Sequence, residues 1–185
     1  LFPHHLKLLS TNSGKYLCFT FEKNNPLLST NTITMTETTS ENDKIIELVS
    51  QYIDLSVTPF NKPERTVVKV DKRDPMYGGN GIVYLLQMFD EGELTNNRIG
   101  AYMVFFNKGD EAGFHTHGTR NEEELYIVMH GEGEYSEMTK KDGIIRTKTI
   151  KKGSITAMSG EGFHSLINTT DEVLIVFVIT TNNPK

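Results

Sequence analysis

His115 and His117 stand two residues apart near the middle of the chain. In an extended strand alternate side chains point the same way, so the two rings leave one face about 7 Å apart along the strand axis. Two imidazoles placed like this can grip one metal ion. The segment 124–130 has the composition of an inner strand, and Glu124, Tyr126 and Val128 share a face on it. If a turn over residues 118–121 folds that strand back beside the first, a carboxylate meets the two histidines. A third histidine, His164, directly follows the glycine-rich residues 159–162 and opens another β-rich run. Three histidines and one carboxylate make a ligand set for a divalent transition metal such as Fe, Mn, Ni or Zn. Four protein donors leave positions for substrate, water or dioxygen, which is what catalysis needs.

These residues need strands to hold them, and the sequence supplies strands. Segments 66–70, 82–89, 99–106, 124–130, 133–138, 144–150, 154–158, 163–168 and 172–180 are rich in β-branched and aromatic residues. Asn80-Gly81, Asp142-Gly143 and Lys152-Gly153 are turn signals between them, as is Lys108-Gly109-Asp110. About nine strands at this spacing, with hardly any helix, predict an all-β sandwich or barrel. One short helix precedes it. Ser40 is placed as its N-cap with Asp43 three residues on, and Ile45, Ile46, Leu48, Val49, Tyr52 and Ile53 recur at helical spacing. The expected organisation is residues 1–40 as an N-terminal tail, 41–62 as helix and linker, and 63–185 as the β domain. Within the tail, Met35 is read as the natural start, with residues 1–34 upstream or appended. The alternative reading is that 6–9 and 16–21 form an extra strand or a partner arm.

Composition narrows the classes further. The 185 residues suit one domain, and 37% hydrophobic with 23% charged residues is a globular make-up. A net charge of −5 argues against a surface built to bind nucleic acid. One cysteine, Cys18, cannot form an intramolecular bridge, so a reducing, cytoplasmic setting is expected. Apolar runs fall short of the roughly 20 residues that span a bilayer, so no membrane partner is expected.

At the histidines the chain resembles the cupin superfamily, in particular small single-domain bacterial cupins of the mannose-6-phosphate-isomerase-like kind. The first cupin motif is met by Gly109, His115, His117, Glu124 and Gly131, and the second by Gly153, His164 and Asn168. The resemblance spans about residues 78–180. It implies a double-stranded β-helix, or jelly-roll barrel, with His115, His117, Glu124 and His164 as metal ligands inside it. The sequence departs from the pattern in three places. Six residues separate His117 from Glu124 where the pattern has three or four; Glu122 repairs that spacing but puts Met129 where the motif ends in glycine, so Glu124 is preferred. Ser159 replaces the second motif's proline, and Glu161 its second glycine.

Other residues receive plainer readings. His130 is expected to be structural or at the surface, Glu123 exposed, Arg120 a partner for the acidic run, and His4 and His5 without a role. Tyr102, Phe106, Tyr126, Met158 and Phe177 either line the cavity or are plain core, with Tyr126 singled out because it shares a face with Glu124. Residues 77–81 are read as a turn, and Asn168-Thr-Thr170 as a chance sequon. Ser159, Ser165 and Cys18 offer no nucleophile. The functional expectation is a metal-dependent enzyme, a dioxygenase, decarboxylase, lyase, isomerase or epimerase, acting on a small oxygen-rich acid or sugar. A barrel that binds or senses a small ligand without turnover is the alternative. A homodimer is expected, burying an edge near the hydrophobic strand 82–89.

Overall fold

The computed structural model describes residues 7–11, 14–18, 39–58, 63–90, 92–94, 97–118 and 122–182. The chain divides into two units, residues 1–39 and 40–185. In the first, β1 (Lys7–Thr11) and β2 (Gly14–Cys18) form an antiparallel hairpin in which Lys7 faces Cys18. Met35, His4, His5 and Arg120 lie outside the described residues.

The second unit opens with α1 (Glu41–Ser50). Its capping box forms as expected: Ser40 Oγ accepts from the Asp43 N–H at 3.1 Å, and the Ser40 N–H donates to the Asp43 carboxylate at 3.1 Å. Ile45 and Val49, one turn apart, are its buried side chains. Ten strands follow: β3 (Lys69–Arg73), β4 (Val83–Gln87), β5 (Asn97–Phe105), β6 (Glu111–Thr116), β7 (Glu122–His130), β8 (Glu132–Met138), β9 (Arg146–Lys151), β10 (Ile155–Ser159), β11 (Phe163–Asn168) and β12 (Leu174–Asn182). They build a six-stranded sheet in the order β10-β7-β12-β5-β4-β3 and a four-stranded sheet in the order β6-β11-β8-β9, antiparallel throughout. Among the described residues the expected all-β fold with one short helix is what the chain adopts.

Strand alternation separates two cores. Val83, Leu85, Ala101, Met103, Phe105, Val128, Leu166, Val176 and Val178 pack together on one side of their strands. On the other side of the six-stranded sheet, Leu86, Met88, Val104 and Ile175 pack with Ile45 and Val49 of α1 and with Leu55. Gly131 turns β7 into β8 at φ 73°, and a Cβ there would meet the Val173 carbonyl at 2.4 Å, so only glycine fits.

Three expectations are corrected. First, the strand assumed to carry both His115 and His117, absent from the segments foreseen from composition, is β6, and it ends at Thr116, before His117. Its Ala112 and Gly113 are poor strand formers, but they lie under the 76–79 loop, where a Cβ on Gly113 would stand 2.5 Å from Gly79 N. Second, β3 lies at Lys69–Arg73 and not at 66–70, because the charged stretch is the part that pairs with β4 at the sheet edge. Third, the 82–89 strand is no edge: β4 is hydrogen-bonded to β3 on one side and β5 on the other. The edges of that sheet are β10 and β3.

Candidate metal centre

β6 ends at Thr116 with His115 on it, and His117 follows directly. Glu124 sits on β7, where Glu122, Glu124, Tyr126 and Val128 are buried and Glu123 between them is exposed, as alternation requires. His164 is the second residue of β11 and lies opposite His115 in the β11–β6 register. Two strands of one sheet and one of the other thus aim four side chains at a single point.

The donor atoms all lie within 4.8 Å of one another. His117 Nε2 is 3.1 Å from His115 Nε2, 3.3 Å from His164 Nε2 and 3.1 Å from Glu124 Oε2. His164 Nε2 stands 3.0 Å from the same Glu124 oxygen. His117, Glu124 and His164 are buried, and His115 is partly so.

The far side of the His115 and His117 rings fixes their tautomers. His115 Nδ1 donates to the Gly113 carbonyl at 2.7 Å, and His117 Nδ1 donates to Glu122 Oε2 at 3.1 Å. His164 Nδ1 lies 3.3 Å from the Tyr135 hydroxyl. With the proton on Nδ1, the Nε2 lone pairs of His115 and His117 are turned inward, and that of His164 joins them where the Tyr135 hydroxyl accepts from its Nδ1. Three lone pairs and a carboxylate crowded together repel one another unless a cation or a proton lies between them. With metal–ligand bonds of about 2.1 Å, neighbouring donors stand roughly 3.0 to 3.4 Å apart, so the spacing fits a transition-metal ion.

The electrostatics agree. Burial, followed by the nearby His164, lowers the His115 pKa to about 4, which keeps its lone pair free at neutral pH. Without an ion, a proton between the rings and the carboxylate takes its place: burial alone would raise the Glu124 pKa, but hydrogen bonds from protonated His117 and His164 and their charge overcome it and hold the carboxyl well below its usual range. Tyr126 lies flat against His164 at 5.1 Å between ring centres. Burial, with the charge and hydrogen bond of Glu124, pushes its phenol far above the ordinary value, so it stays a proton donor beside that carboxylate. Tyr135 is likewise pushed up to about 12, mainly by burial.

The four residues expected as ligands are therefore brought together, and Tyr126 stands beside them. Glu122, the alternative considered for Glu124, lies behind His117 instead. Met158 faces the interior opposite Glu124, while Tyr102, Phe106 and Phe177 pack with the outer cluster under α1. His130 meets Tyr52 at 4.7 Å, because an irregularity between Ile175 and Val176 in the β12–β7 pairing shifts the facing of the β7 end. Asn168 is buried, its amide donating to the Phe105 and Glu172 carbonyls, so the sequon is structural.

Sequence reasoning missed Tyr135, whose hydroxyl lies beside His164 Nδ1, and two further residues here. Tyr77, read as part of a turn, stacks on His115 at 3.8 Å while remaining 43% exposed. Its φ of 50° was the kind of signal only coordinates give. Thr180 lies directly opposite Glu124 in the β12–β7 register, and its buried hydroxyl has no hydrogen-bond partner among the described residues. Alternation along β12 could have placed it there.

No family model and no curated protein matches this sequence. Solved structures do. A predicted oxalate decarboxylase from Thermotoga maritima is 23% identical over 64% of this chain and 100% of its own, with a TM-score of 0.55. The cupin domain of Cnp3 from Schizosaccharomyces pombe is 14% identical over 71% of this chain and 87% of its own, with a TM-score of 0.47. An uncharacterized conserved protein with a double-stranded β-helix domain from Klebsiella pneumoniae is 20% identical over 72% and 85%, with a TM-score of 0.41. With its two antiparallel sheets in this strand order and the histidines at the end of β6 and on β11, the chain has the cupin fold.

Proposed function

We propose that the chain is a metal-dependent enzyme that binds a small oxygen-rich acid or sugar-like molecule at one divalent transition-metal ion held by His115, His117, Glu124 and His164. The observation that carries this reading is the convergence of all three Nε2 atoms, each ring with an oxygen partner behind it. When bound, the ion supplies Lewis-acid polarisation of substrate oxygens or, if redox-active, electron transfer. The residues around it do the rest. Glu122 holds the His117 ring in orientation, and Tyr126 offers a retained proton beside Glu124. Tyr77 covers His115 on the partly exposed side. Three neutral ligands and one carboxylate leave a dication with a net charge of about +1, which favours anionic, chelating ligands. A homodimer in the cytoplasm belongs to the same proposal, with β3 and β10 as edges for pairing.

The test is elemental analysis of protein purified without a chelating tag, followed by a screen of small acids and sugars for thermal stabilisation and turnover. One ion per chain and conversion of a stabilising acid or sugar support the proposal. Stabilisation without turnover would leave a binding module, and absence of any ion would remove the metal from the account.

A further inference from the structure

The four-stranded sheet carries the two histidines on one half of an inner row, and the other half of that row is charged. His115 of β6 lies opposite His164 of β11, His164 opposite Glu137 of β8, and Glu137 opposite Arg146 of β9. Directly opposed residues in antiparallel strands point to the same face, so Glu137 and Arg146 face the side that the histidines face. The next row repeats the pattern: buried Leu166 and Tyr135 lead across to Lys148. On β9, Arg146 and Lys148 are exposed, and the buried Ile150 shares their parity.

Glu137, Arg146 and Lys148 line a cavity of about 290 Å3, together with Tyr135 and with Ile155, Thr156 and Ala157 of the β10 edge. Tyr135 ties this cavity to the centre, because its hydroxyl sits 3.3 Å from His164 Nδ1. A larger cavity of about 430 Å3 runs along β7, β10 and β12 past Glu124, but most of its described lining residues are on the outer face and none of them is a cation. Two cations against one carboxylate leave the smaller cavity net positive beside the metal ligands. Arg146 is two strands from His164, a backbone separation of about 10 Å, within reach of a ligand only a few bonds long once the arginine side chain extends.

We propose that Arg146 and Lys148 form an anion-recognising subsite. They hold the carboxylate or phosphate at the far end of a small ligand whose near end chelates the metal. This deepens the reading of the metal centre and rests on it. The substrates it selects are doubly functional: a hydroxy- or keto-acid head and a second anionic group. The guanidinium offers a planar fork to either anion, and Lys148 adds a point charge. Thr147 and Thr149, of the opposite parity, face the other way and take no part.

Three α-hydroxy acids test this on cobalt-loaded protein, with affinity read by calorimetry: 2-hydroxybutyrate, with an uncharged tail; malate, with a carboxylate tail; and 3-phosphoglycerate, with a phosphate tail. Malate or 3-phosphoglycerate is expected to bind at least about tenfold tighter than 2-hydroxybutyrate, and whichever is tighter identifies the anion. In the double variant Arg146→Gln, Lys148→Gln the advantage falls to within about twofold, while metal content and 2-hydroxybutyrate affinity stay as in the wild type. Equal binding of all three acids by the wild type overturns the subsite. So does a preference for the charged tails that survives in the double variant, which would leave the two cations as guards of the β9 edge. Failure of the wild type to load cobalt is read separately from metal content, and it overturns the metal reading together with this one.

Discussion

The two faces of the six-stranded sheet are made from the same strands and do opposite things. The outer face, where Leu86, Met88, Val104 and Ile175 meet Ile45, Val49 and Leu55, is apolar throughout its buried part. The inner face begins in the same manner, with Leu85, Met103 and Val176, but at one end it turns to Glu122, Glu124 and Thr180. Burying such groups costs free energy unless each finds a partner, so the polar end depends on a complete network and the apolar end does not. Odd and even positions along one strand therefore serve separate ends: the outer set holds the helix to the sheet, and the inner set holds the centre.

That division is open to attack from either side. The largest expected effect is on the inner face. His117 Nε2 touches all three other donors, so His117→Ala should weaken metal binding by at least about a hundredfold, measured by competition with a chromophoric chelator, and leave a cooperative unfolding transition. On the outer face, Leu86→Ala should lower stability by about 2 to 5 kcal/mol in chemical denaturation without altering metal stoichiometry. If Leu86→Ala also emptied the centre of the folded protein, the two faces would not be separable. Glu122→Gln should keep the fold and reduce metal affinity by about 10- to 100-fold, since the amide orients His117 less firmly than the carboxylate.

The smallest effect is a pH dependence of the metal-free protein. His115 has a folded pKa of about 4 against an ordinary 6.5, so between those values the unfolded chain takes up a proton that the folded chain refuses. Stability should then fall as the pH drops from about 6.5 to about 4, by on the order of 1 to 3 kcal/mol, and His115→Ala should flatten that slope in thermal melts. Glu124 acts in the same direction lower down: its carboxyl is held below the ordinary 4.5, so its contribution is present above that value and is lost as the pH falls below it.

The same contrast explains what the sequence reveals. The helix and its cap were legible because Ser40, Asp43 and the apolar spacing act locally. That Glu124, and not Glu122, shares one point with the three histidines was legible because Gly131 marks the end of β7 by a backbone demand, φ 73°, that loop length cannot alter. β6 was harder to see because its Ala112 and Gly113 answer to a distant loop: Met76 bridges to Ala112, and Gly79 presses on Gly113. Tyr77 reaches His115 through the same contact, which no local pattern encodes. The sides taken by Tyr102, Phe106 and Phe177 depended on register, and that is set by pairing between strands far apart in sequence.

X-ray absorption at the metal edge of the natively loaded protein tests the central claim most directly. The account predicts one ion per chain, with a shell of three imidazole nitrogens and at least one oxygen at about 2.1 Å, absent from both His115→Ala and His164→Ala. A shell without imidazole, or full loading in both variants, would contradict it.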